Sequence, residues 1–240
     1  MECILGIDVG TSNVKAVLFD GNGTEVQVAS RESETINDGG NWEEQDMLLV
    51  WDKVKSCIKE LIDSGAVKSE EIKGIGVTGQ GEGCWLIDEE GNPVQNAILW
   101  CDGRAVAEVK RITEEYPEIG KLYHKTTGTP SLLGNQMILI RWMKINRKEV
   151  LDTASRIMFC KDWVRYKMTG VIATEITDSF TSLLDAQTGN VADELMKAMD
   201  IYEYRDYIPA SVSSDSVVGT ISEEFAAWSG LAAGTPVIAG

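Results

Sequence analysis

The chain has 240 residues, 43% apolar and 25% charged, an ordinary globular composition that excludes intrinsic disorder and leaves ample length for a buried core. Thirty-eight Asp and Glu against 22 Lys and Arg give a formal net charge of −16, a surface that repels nucleic-acid backbones and anionic lipid, so neither nucleic acid nor membrane is expected as a partner. The same charge repels a polyphosphate at long range, so any phosphate site has to be built locally, from backbone N–H groups, a metal ion or isolated cations.

Residues 3–8 form a short apolar run that ends in an acid and predict a strand, followed by the turn Val9-Gly10-Thr11-Ser12-Asn13. Residues 14–20 predict the second strand, Gly21-Asn22-Gly23 a tight hairpin turn, and 24–30 the third strand. Asn22-Gly23-Thr24 matches a glycosylation sequon but is read as that turn. After Trp42-Glu43-Glu44-Gln45-Asp46, apolar residues at 47, 50, 51, 54, 58, 61 and 62 follow helical spacing until Ser64-Gly65. Strands are predicted at 72–78, 84–88 and 97–100, and helices at 105–116, 132–145 and 162–168, the last stopped by Gly170. Residues 211–220 are polar and extended, 222–228 helical with Ser222 as N-cap, and 234–240 a turn and strand. Hairpin-linked strands that later alternate with helices predict an α/β domain with a mixed sheet flanked by helices.

Five cysteines, odd in number and without a C-x-x-C pair, argue for free thiols in a reducing compartment. His124 is the only histidine, too little for a structural zinc site or a Ser-His-Asp triad, and it reads as a polar helix-end residue. The start MECILGIDVG lacks the basic region of a signal peptide, and no apolar run reaches the length of a membrane span. A cytoplasmic protein is expected. A buried-type strand at the very end of the sequence reads as a cut at a domain boundary.

The strongest motif is Gly6-Ile7-Asp8-Val9-Gly10-Thr11-Ser12-Asn13-Val14-Lys15. A strand delivers Asp8 to its end, Gly10 permits a tight turn, and Thr11, Ser12 and Asn13 offer hydroxyl, amide and backbone N–H groups. Lys15 opens the return strand. Such a hairpin can hold a phosphate through backbone dipoles while Asp8 holds a hydrated Mg2+; its bland alternative is an ordinary glycine-containing turn. Gly74-Ile75-Gly76-Val77-Thr78-Gly79 matches G-x-G-x-x-G formally, but within a strand rather than between strand and helix, and is rejected as a dinucleotide site. Gly79, Gly81 and Gly83 instead make a loop of little bulk that leaves Gln80 and Glu82 to point into a cleft, where an amide and a carboxylate suit the hydroxyls of a polyol. Trp100 can offer a flat wall to the C–H face of a sugar, while Asp102 and Arg104 bind hydroxyls or pair with each other; the bland alternative is Trp100 in the core and Asp102 as a helix N-cap. Lys161-Asp162-Trp163 reads as the structural start of a helix.

The first motif resembles the phosphate loop of the actin/hexokinase/Hsp70 superfamily, whose fold is related to ribonuclease H. In detail the chain is similar to the FGGY carbohydrate kinases, through Gly76–Gly83, through Ala97-Ile98-Leu99-Trp100-Cys101-Asp102-Gly103-Arg104, through residues 161–170 and through 234–240. Gln80-Gly81-Glu82-Gly83 resembles the L-xylulose and erythritol kinase branches more than the glycerol or D-xylulose kinase ones. The resemblance implies a ribonuclease H-like N-terminal domain over 1–240 that phosphorylates a sugar or polyol, a ketopentose of xylulose or ribulose type first, with ATP and Mg2+. It implies phosphates at Gly10, Thr11, Ser12, Asn13 and Lys15, Mg2+ at Asp8, and substrate at Gln80, Gly81, Glu82, Trp100, Asp102 and Arg104. It also implies a C-terminal ATP-binding domain as partner, a general base beyond Gly240, and a fragment inactive alone; a homodimer is left open. Leu139 stands where the family usually carries a Lys, and Gly134 where glycerol kinases carry an aromatic residue, which implies room for a longer substrate. Two other readings are kept: a nucleotide-dependent switch like actin or Hsp70, and a sugar-binding module that never phosphorylates.

Overall fold

In the computed structural model, which describes residues 1–37 and 39–240, strands β1 (Cys3–Val9), β2 (Asn13–Asp20) and β3 (Glu25–Glu32) form an antiparallel meander. Period-two alternation puts Cys3, Leu5, Ile7 and Val9 in the core and Ile4, Gly6 and Asp8 on the opposite face. The β2–β3 turn is closed by the Asp20 carboxylate, which accepts the N–H groups of Asn22 and Thr24, so the sequon residues form the expected tight turn.

Helix α1 (Met47–Asp63) starts where Asp46 accepts N–H bonds from Leu48 and Leu49. Its buried stripe, with Val54, Cys57, Ile58 and Leu61, covers the core face of β1 and β2. The chain returns as β4 (Ile72–Gly79), parallel to β1, which places Gly6 beside Gly76 and Asp8 beside Thr78. With β5 (Val217–Thr220) and β6 (Pro236–Ile238) the six-stranded sheet has the order β5-β6-β4-β1-β2-β3. Strand β4 runs parallel to both neighbours and the other pairings are antiparallel, the expected mixed sheet. The formal G-x-G-x-x-G lies inside β4, as its rejection requires.

The helical part departs from expectation after Lys110 and at the start of the helix expected over 132–145, and it adds a helix over Ile176–Ser182 that the spacing did not mark. Residues 105–116 are not one helix: Val106–Lys110 is α-helical, the next turn widens over Arg111–Glu115, and Pro117 opens a separate helix α2 (Pro117–Thr127). Tyr116, at φ −125 and ψ 60, has left the helical region, as a residue before proline tends to. His124 lies in the last turn of α2. Helix α3 (Gln136–Asn146) begins four residues later than its periodicity suggests, because Gly134 and Asn135 hold tertiary contacts instead.

Helix α4 (Cys160–Thr169) ends on Gly170 in the left-handed region, and Trp163 packs in the core near Trp51 and Trp85. Its Arg165 is fully buried, pairs with Asp162 at 3.0 Å and donates to the carbonyls of Ala239 (2.6 Å) and Ala173 (2.5 Å), tying α4 to the end of β6. Helix α5 (Ile176–Ser182) follows at once, and α6 (Glu223–Ser229) is capped by Ser222. Among the described residues no helix is long and apolar enough to cross a membrane.

Candidate functional site

Parallel pairing brings two loops together. Val9 lies beside Gly79 in register, so the loops that leave β1 and β4 emerge from the same end of the sheet, side by side. A Cβ at Gly79 would stand 2.9 Å from the Val9 carbonyl, so the close approach needs glycine there. In the first loop the Gly10 N–H donates to the Asn13 carbonyl at 2.9 Å, and Ser12, Asn13 and Lys15 face solvent. Asp8 also faces solvent, opposite Lys15 in the β1–β2 register.

The two loops are joined by hydrogen bonds. Gln80, 9% exposed, does not project freely into a cleft: its Oε1 accepts from Thr11 Oγ1 at 3.2 Å and its Nε2 donates to Gln45 Oε1 at 2.7 Å. Gln45, fully buried, donates from Nε2 to the Thr11 carbonyl at 2.9 Å. Trp100, whose ring is half exposed, donates from Nε1 to Thr11 Oγ1 at 3.1 Å. Thr11, Gln80 and Trp100 are thus brought together with Gln45, a residue that no motif marks. The signal was there: Gln45 precedes the N-cap Asp46, where an apolar residue is the common choice.

Glu82 stands beyond Gln80 at φ +55, an uncommon conformation for a residue other than glycine. Its Oε1 accepts from Asn135 Nδ2 at 2.6 Å and its Oε2 from Ser182 Oγ at 3.2 Å. Burial pushes its carboxyl above the usual glutamate range, against the pull of these hydrogen bonds. Asn135, 2% exposed, is oriented in turn by the Leu132 N–H at 2.6 Å; it was another residue without a motif to mark it. Gly134 has a local cause here. A Cβ on it would lie 2.0 Å from the Trp100 carbonyl, so backbone contact with the Trp100 segment accounts for the glycine. Leu139 is fully buried in the apolar core around α3.

Asp102 and Arg104 pair with each other, and Asp102 is not the expected helix N-cap, because the helix that follows begins at Val106 with Ala105 before it. Asp102 is fully buried; its carboxylate accepts from Arg104 N, Nε and Nη2 and from Glu43 N. The guanidinium also donates to Glu44 at 2.7 Å and stacks over Trp42, 4.2 Å from its centroid. The pair braces the segment that carries Trp100 and does not present free groups to a sugar. Gly81 lies against Asp178, whose Oδ1 is 3.1 Å from where a Cβ would be. Asp178 is bound by Lys161 at 2.8 Å, and Lys161 also reaches Glu175 at 2.9 Å, so a buried ionic cluster stands behind the second loop.

Asp8 offers one solvent-facing carboxylate, and among the described residues no group of three or more His, Cys, Asp or Glu forms a cage for a metal. That donor set fits Mg2+, which dehydrates reluctantly and is commonly held by one or two carboxylates together with water and substrate phosphates.

Residues 3–240 match the family model described as the FGGY family of carbohydrate kinases, N-terminal domain. The chain is 34% identical over 238 residues to the L-xylulose/3-keto-L-gulonate kinase of Escherichia coli (strain K12), covering 98% of this chain and 47% of that protein. It is 31% identical over 242 residues to the erythritol kinase of Brucella abortus (strain 2308), covering 100% and 46%. The fold matches the crystal structure of xylulose kinase from Rhodospirillum rubrum with a TM-score of 0.91 at 25% identity, over 100% of this chain and 48% of that one. The chain spans about half the length of the relatives it matches.

Proposed function

The chain belongs to the FGGY family of carbohydrate kinases, and from that membership we propose that it supplies the polyol site and the first phosphate loop of an ATP-dependent kinase acting on a hydroxyl of a sugar or polyol, a ketopentose first among candidates. The observation that carries this reading is the junction of the two loops: Thr11 of one is bonded to Gln80 and Trp100 of the other half-site, so a phosphate and a sugar would meet across a distance set by hydrogen bonds.

In this reading the sugar lies with its C–H face on the exposed indole of Trp100 and donates a hydroxyl to Glu82, which Asn135 and Ser182 hold in place. The backbone N–H groups and hydroxyls of Thr11, Ser12 and Asn13 receive the phosphates, and Lys15 adds a local cation on an otherwise acidic protein. Asp8 would hold Mg2+, which when bound neutralises charge on the transferring phosphoryl group. Gln80, Asp102 and Arg104 act from behind, by fixing Thr11 and Trp100. The remainder of a protein of the relatives' length supplies the base that takes the hydroxyl proton and most of the adenosine pocket, and closes over the substrates to exclude water.

The test is Glu82→Ala in the full-length protein. Loss of a hydrogen bond to a charged group is worth about 1.5–3 kcal/mol, so the sugar KM should rise about ten- to hundredfold while the ATP KM stays within about twofold. Equal rises in both would argue against Glu82 as a sugar ligand.

A further inference from the structure

The bonds around Thr11 form a chain with a fixed direction. The Trp100 indole N–H can only donate and the Thr11 carbonyl can only accept. Between these two ends the order is forced: Trp100 Nε1 to Thr11 Oγ1, Thr11 Oγ1 to Gln80 Oε1, Gln80 Nε2 to Gln45 Oε1, and Gln45 Nε2 to the Thr11 carbonyl. Neither amide can be reversed without setting like groups against each other. Gln45 and Trp100 are the members of this chain outside both loops, and the place of Gln45 is fixed from two sides. It pairs with Ala97 in the small sheet that leads to Trp100, and the next residue, Asp46, caps α1.

We propose that Gln45 is a positioning residue that couples occupancy of the Trp100 wall to the setting of the phosphate loop at Thr11. This rests on the reading of the two loops as sugar and phosphate half-sites. A sugar against the exposed indole holds the ring, the ring holds the Thr11 hydroxyl, and Gln80 and Gln45 return the constraint to the Thr11 backbone, whose neighbours carry the phosphate donors. Buried hydrogen-bond chains of this kind strengthen one another, so each link is worth more with the others intact.

The variant that reads the direction is Gln45→Glu, equal in size but without the donor, which sets a carboxylate oxygen against the Thr11 carbonyl. Binding of ADP to the full-length protein is measured alone and with saturating xylulose, L-xylulose and erythritol in turn. In the unaltered protein the effective sugar should tighten ADP at least about fivefold. In Gln45→Glu that ratio should fall to near one. Trp100→Phe, which keeps a smaller aromatic face on a half-exposed site and removes the donor, should give the same loss and serves if Gln45→Glu folds poorly. A ratio near one in the unaltered protein, or an unaltered ratio in both variants, would overturn the inference. A ligand-free arm separates it from the family reading: amide hydrogen exchange in the peptide that contains Thr11 should speed about tenfold in Gln45→Glu, and unchanged exchange would refute the role of Gln45. Absence of sugar-dependent ATP turnover in the unaltered protein counts against the kinase reading, and the exchange result still decides the role of Gln45.

Discussion

Gly134 shows how much a single position can depend on backbone approach. The Trp100 carbonyl occupies the space of its missing side chain, 2.0 Å from the ideal Cβ position, and the Gly83 N–H donates to the Gly134 carbonyl at 2.9 Å. Gly134→Ala therefore has to push the Trp100 segment outward. Forced overpacking of this kind costs about 1–3 kcal/mol, and denaturant unfolding should show a loss at or above the upper end of that range. A loss under about 0.5 kcal/mol would mean that the Trp100 backbone yields freely. The sequence showed a glycine where an aromatic residue was expected and suggested a roomier pocket. The physical cause, a contact with a residue 34 positions earlier, is invisible to any local pattern. Glu82 was legible as a candidate because its glycine neighbours mark a low-bulk loop. Its partners Asn135 and Ser182 were not, since both come from segments whose approach to the loop only the fold defines.

At the scale of elements, Glu175 joins the start of α5 to α4 and to the segment before β5. It accepts from the Thr177 N–H and caps α5, pairs with Lys161 at 2.9 Å, and accepts from Ser214 Oγ at 2.5 Å. Burial by itself would raise its carboxyl, but the combined hydrogen bonds from Ser214, Thr177 and Lys161 outweigh that and hold it at about 2, from an ordinary 4.5. A lowered acid stabilises the fold above its unfolded value, and the contribution fades as the pH falls from 4.5 toward about 2. Glu175→Gln should thus melt well below the unaltered chain at pH 7 and approach it as the pH is lowered through that window. A Tm gap that is the same at both ends would show that the charge of Glu175 does not matter. The elements themselves were mostly legible: apolar runs bounded by turn residues mark β1 to β4, and the apolar spacing with Asp46 marks α1. The helix expected over 105–116 is broken within its own span, where the backbone widens over Arg111–Glu115 and Tyr116, ahead of Pro117, leaves the helical region.

At the scale of the molecule, the sheet presents one face to α1 and α4 and the ends of β1 and β4 to the site. The −16 charge stays compatible with phosphate chemistry because the groups proposed to bind phosphate are local ones, backbone N–H donors, a metal at Asp8 and Lys15. The ribonuclease H-like fold was legible from the order of motifs along the whole chain. The coupling between the half-sites was not, because it runs through a buried amide that belongs to no motif. The central claim, that this domain serves a sugar or polyol kinase, is tested most directly by ATP consumption in the full-length protein, measured with Mg2+ across a panel of ketopentoses and polyols and in their absence. The account predicts turnover that requires one or a few of these acceptors and yields their phosphate esters. ATP hydrolysis at the same rate with no acceptor present would contradict it.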